Sequence, residues 1–197
     1  PVGGAASDLC TDTAWGAGGV ALLDALDAIR AEGRLQQRLA DTWPAVEPLQ
    51  TGYFQKCMHA FAEPASQTKA THELVEYARS VQLPADPAEA AALLLRASLH
   101  IYVRTVSSDY FLLHGVTAAF SLVAVQPLLA PEMATSVCRR FLLALLATYV
   151  AQRQPVLCPL DAVLTSGTSD RAVLAMLLVS SLGLTCLPKL LLAGHTA

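Results

Sequence analysis

From Tyr110 to Val125 the chain carries neither a charge nor a proline, and Ser108 and Asp109 stand directly before this stretch. Serine and aspartate cap the free amide groups of a first helical turn. Sixteen such residues make about four turns of helix. A rod this apolar has to be covered, so the sequence predicts a central buried apolar helix near residues 109–126. Inside it, His114 and Thr117 are three residues apart and share a face. Gly115 removes a side chain beside them, which would let a backbone or a ligand approach. Two readings stand together here: a core histidine bonded to a carbonyl, and a titratable group in a pocket wall.

The composition bears on what covers such a helix. Hydrophobic residues make up 54% of the 197 and charged residues 15%, against about 25% charged in an average globular chain. Polar surface is therefore short, and another protein chain, a further lobe or a membrane is expected over part of the fold. A net charge of −3 gives no basic footprint, which argues against nucleic-acid binding. Five cysteines, Cys10, Cys57, Cys138, Cys158 and Cys186, are dispersed without a C-x-x-C pair. They read as reduced thiols in a cytoplasm-like or organelle-matrix compartment, with neither a disulfide frame nor a metal site. The chain opens Pro1-Val2-Gly3-Gly4 without a methionine. It therefore reads as a fragment or processed form, which leaves room for an upstream targeting segment.

In chain order, residues 1–19 are rich in glycine and alanine and read as a loose lead-in to a single helical domain over 20–197. Val20 to Ala31 is an amphipathic helix with Asp24 and Asp27 on its wet side, ended by Gly33. Pro44 and Pro48 place the next regular helix near Leu49, with Tyr53, Phe54, Cys57, Met58 and Phe61 as its apolar stripe and His59 off it. Pro64 closes that segment. Ser66 to Arg79 forms another helix, with Leu74, Val75 and Ala78 inward and Glu73 and Glu76 solvated. Asp86-Pro87-Ala88-Glu89 is a strong helix start, and that helix runs to about Arg104. A short connection then makes it pack antiparallel to the helix of His114. Glu132 to Ala151 is the next helix, and Gln154-Pro155 ends it. The last apolar run is Arg171 to Leu187, broken by Pro188. The fold class is all-α, about seven to eight helices in one bundle, with no strand alternation and no Gly-rich nucleotide fingerprint.

Three phrases carry a resemblance: AEAAALLLRASLHIY at 88–102, SDYFLLHGVTAAFSL at 108–122, and RRFLLALLATYVAQRQP at 139–155. Together they resemble the C-terminal half of the questin oxidase family, helical oxidoreductases whose fungal members open anthraquinone rings by Baeyer–Villiger-type oxidation with NADPH and dioxygen. The resemblance implies an oxygenative reaction on an aromatic or quinone ketone, with NADPH as cofactor and a small aromatic molecule as substrate. It makes His114 the acid/base, with Thr117 orienting it and Lys189 meeting an oxyanion. His100, Tyr102, Tyr110 and Cys186 would line the substrate. Read from the residues themselves, Arg139, Arg140 and Arg153 are candidates for neutralising a cofactor phosphate, against the plainer reading of arginines that solvate helix surfaces.

The chain departs from the family pattern in two places. Cys186 and Leu184 stand where a histidine and an acid are expected before Lys189-Leu190. No H-x-L-I-H-L-G-Y-like motif occurs in residues 1–80 either. A degenerate, non-catalytic helical domain acting as an interaction subunit is the competing expectation. Tyr110–Leu129 and Ala172–Pro188 approach membrane-spanning length, but internal His114, Gln126 and Pro127, paired serines, and the lack of a positive flank argue against a span.

Overall fold

A computed structural model describes residues 18–62, 69–105 and 109–158, with side chains described for 18–61, 72–105 and 109–158. Among the described residues the fold is all-α. Seven helices run in order: α1 (Leu22–Glu32), α2 (Arg34–Val46), α3 (Tyr53–Ala62), α4 (Lys69–Ser80), α5 (Pro87–Arg104), α6 (Tyr110–Val125) and α7 (Pro131–Ala151), with a 3-10 turn at Gln126–Leu128. Extended pairing among them is limited to an isolated bridge between Val20 and Val81. There Gln82 N–H donates to the Val20 carbonyl at 2.9 Å, tying the entry of the chain to the end of α4.

Local chemistry explains most of the boundaries. Gly33 ends α1 in the left-handed region, at φ 64°. The Asp86 side chain accepts from Ala88 N–H with Pro87 in the first turn of α5, and the Asp109 side chain accepts from Leu112 N–H at 2.8 Å to start α6. These match the sequence reading. Helix α2 does not. The chain is already helical from Arg34, because Gly33 reverses it without a linker, and Leu35, Leu39, Thr42 and Val46 form a buried stripe. Pro44 sits in the last turn of α2, where it forfeits one backbone hydrogen bond. The expected helix near Leu49 begins at Tyr53.

The centre of the bundle is α7, which packs on α3, α4, α5 and α6. Leu142, Leu146, Tyr149 and Val150 are fully buried in it. Helix α6 has the expected ends, but its burial is one-sided: Leu112, Val116, Ala119 and Leu122 face inward. Phe120, Val125 and the following Leu128 are exposed, at 49%, 46% and 82%. An evenly apolar sequence fixes that a helix is greasy and leaves open which stripe meets a neighbour. Helices α6 (with its 3-10 extension) and α7 are both long and apolar enough to cross a membrane. Glu73, expected in water, is instead clamped at 12% side-chain exposure between Arg34 (2.9 Å) and Arg38 (3.5 Å).

Candidate functional site

His114 lies two residues from both Leu112 and Val116, about 200° round the helix from that inward stripe. Its ring is accordingly exposed, and among the described residues it faces outward from the bundle, away from any hollow between helices. The ring is nonetheless held. Nδ1 lies 2.8 Å from the Tyr110 carbonyl, and the Tyr110 ring stands 4.1 Å from it, centroid to centroid. A carbonyl only accepts, so Nδ1 carries the proton and Nε2 of the neutral ring is left as the acceptor. Thr117 does not orient the imidazole: its hydroxyl donates to the His114 carbonyl at 3.1 Å, a back-bond that the shared helix face favours. Gly115 opens no close approach, since a Cβ there would meet Leu145 Cδ1 at an ordinary 3.7 Å.

An aromatic run leads to this histidine. Phe54 of α3 stacks on Phe111 of α6 at 3.9 Å and 8°. Phe111 meets Tyr110 edge-on at 5.6 Å and 81°, and Tyr110 meets His114. Tyr110 is 66% exposed, so the run ends in an open aromatic face beside Nε2. The adjacent aromatic pairs Tyr110-Phe111 and Tyr53-Phe54 are a visible signal for it, but the pairing across helices is not.

The other expected site residues fall elsewhere. Tyr102 is buried, so it does not share the open face of Tyr110 and His114. His100 is half-buried, and its Nδ1 is enclosed without a hydrogen-bond partner. Burial first, then the charges of Arg104 and Arg96, hold its pKa below the usual imidazole range, which keeps the ring neutral. Arg139 is half-buried and Arg140 exposed. Consecutive residues point about 100° apart on a helix, so Arg139 and Arg140 lie on different faces of α7. Lys189 and Cys186 lie outside the described residues. No cluster of three or more His, Cys, Asp or Glu suited to a metal occurs among the described residues.

A second polar cluster, absent from the sequence reading, gathers where α7 ends. Arg153 and Gln154 follow α7 with φ 62° and 51°, and the Arg153 guanidinium lies over the Tyr53 ring at 5.3 Å. The Tyr149 hydroxyl, fully buried, donates to the Pro155 carbonyl at 3.0 Å. The phrase Y-V-A-Q-R-x-P thus has a structural meaning, because Tyr149 fastens the turn that presents Arg153.

The chain matches the questin oxidase-like family over residues 7–175. No curated protein and no solved structure matches it. The match spans most of the chain, including the described helices and both site clusters, so the protein belongs to the questin oxidase-like family, an oxidoreductase-type family.

Proposed function

We propose that the protein is an oxygenative oxidoreductase acting on an aromatic or quinone ketone by Baeyer–Villiger-type chemistry. One oxygen atom of dioxygen enters the carbon–carbon bond beside the carbonyl, giving an ester. The other leaves as water, with two electrons and a proton from NADPH and one further proton from solvent. NADPH is proposed on family grounds as the source of those electrons, and Arg139 and Arg140 are not assigned to it jointly.

The observation that carries this reading is the family match over residues 7–175; the acid/base proposed within it is His114, which lies at the open end of the aromatic run and faces outward instead of into a hollow. Its Nδ1–H is committed to the Tyr110 carbonyl, so Nε2 can take a proton from a phenolic hydroxyl of a flat substrate lying on Tyr110. Positioned proton transfer of this kind contributes about 10²–10⁴-fold. Lys189 remains the proposed partner of a developing oxyanion, with Cys186 beside the substrate. The free thiols Cys57, Cys138 and Cys158 suit a reducing cytoplasm or organelle matrix.

The test is NADPH and dioxygen consumption with a panel of hydroxyanthraquinones. Wild-type turnover above the enzyme-free blank and a loss of about 10²-fold or more in His114→Ala are expected. Equal turnover in the variant removes His114 from the chemistry. The exposed apolar side of α6 favours a second reading, a non-catalytic interaction domain whose partner chain covers that side. It gains if no quinone supports turnover and the domain is recovered bound to another subunit.

A further inference from the structure

Arg153 occupies a costly backbone position. The N–H of Arg153 bonds the Val150 carbonyl at 2.9 Å and the N–H of Gln154 bonds the Tyr149 carbonyl at 3.0 Å. This is the helix ending in which a left-handed residue, usually glycine, closes the last turn. Here the left-handed residue is arginine, at φ 62°, and glutamine follows it at φ 51°. Two adjacent non-glycine residues in this region carry strain that tends to be kept at functional sites.

What the strain positions is an aromatic cation cluster. Arg153 is exposed and lies over Tyr53 at 5.3 Å. Trp43 stands against the same Tyr53 ring at 5.2 Å. Burial first, and then Cys57, raise the pKa of the Tyr53 hydroxyl. Gln36 Oε1 and, next to Arg153 in the chain, Gln154 Nε2 are enclosed without a partner, although buried amide atoms are ordinarily paired. Among the described residues no carboxylate pairs with Arg153. The carboxyl end of α7 and the amino end of α3 meet at this point, so their opposed dipoles offset and the guanidinium sets the sign of the field.

We infer that Trp43, Tyr53 and Arg153 form a binding site for a planar aromatic carboxylate, its ring lying on the Trp43–Tyr53 surface and its carboxylate meeting the Arg153 fork. Guanidinium binds a carboxylate through two parallel donors, and the exposed part of Tyr53 leaves the aromatic surface reachable. This site does not depend on His114 or on the oxidative reading.

The test is calorimetric titration of the whole protein with 2-naphthoate, with its neutral amide, 2-naphthamide, and with inorganic phosphate. Saturable 2-naphthoate binding is expected, at least tenfold tighter than for either control. Arg153→Gly should weaken it at least tenfold while keeping or raising the melting temperature, because glycine relieves the left-handed strain. Arg153→Gln removes the charge without freeing the backbone, and it should weaken binding to the same extent. No saturable binding overturns the inference. Phosphate binding as tight as naphthoate makes this a plain anion site and overturns the aromatic part. A lowered melting temperature in Arg153→Gly with naphthoate affinity intact makes Arg153 a structural cap only, and also overturns it.

Discussion

Tyr149 and Tyr77 are the side chains whose protonation ties stability to alkaline pH. Burial pushes the Tyr149 phenol up to about 12. Tyr77 is also pushed up to about 12, by burial first and then by its bond to Glu32. A folded pKa above the unfolded value means stability is intact below about pH 10 and is lost as pH rises toward 12. The buried thiols of Cys57 and Cys138, raised by burial, add to that loss from about pH 9. Urea unfolding across this range should show falling stability, with a shallower fall in Tyr149→Phe. At neutral pH the same variant removes the bond to Pro155 and is expected to cost about 1 kcal/mol. Gly115 gives the opposite sign. It is helical and has room for a methyl group, so Gly115→Ala should stabilise by about 0.5–1 kcal/mol, read as a raised melting temperature. The sequence marked Gly115 as a point of close approach because glycine identity shows freedom of the backbone but not what lies across from it.

Between elements, the junction of α1, α2 and α4 is held by charge as well as by apolar contact. Glu73 on α4 meets Arg34 and Arg38 on α2. The Tyr77 hydroxyl donates to Glu32 at 2.6 Å. Because Glu73 is largely covered, Glu73→Ala is expected to destabilise by about 1 kcal/mol, since it removes the carboxylate that Arg34 and Arg38 share and leaves them only their more exposed partners Glu32 and Asp41. Glu76→Ala, at an exposed i, i+3 pair with Arg79, should cost no more than about 0.5 kcal/mol. Paired urea curves check the difference. Helix starts at Asp86 and Asp109 and the stop at Gly33 were legible because capping chemistry is local. Helix α2 was not legible because Pro44 and Pro48 point to a helix that starts after them, whereas Pro44 lies inside one that starts at Arg34. Glu73 was misplaced because periodicity names the side of a helix, while its partners come from another one.

For the whole molecule, the decisive fact is that α7, not α6, takes the centre. Both are apolar, but only α7 is surrounded by four helices, and the resulting outward turn of His114 follows from the Leu112–Leu122 stripe. The all-α class and the family were readable from pattern and phrase. Three-dimensional placement of the candidate site was not, because Phe54 of α3 meets Phe111 of α6, and Tyr53 of α3 meets Arg153 after α7, across long separations in sequence. The shortage of polar residues reappears as the uncovered side of Phe120, Val125 and Leu128. Phe120→Ser with Leu128→Ser should raise solubility with little change in melting temperature, because neither side chain is packed. The most direct measurement of the central claim is mass spectrometry of product formed from a hydroxyanthraquinone, NADPH and heavy-oxygen-labelled dioxygen. One labelled oxygen in a ring-opened or ester product, strongly reduced in His114→Ala, is expected. Unlabelled product, or the same labelled yield from His114→Ala, would contradict it.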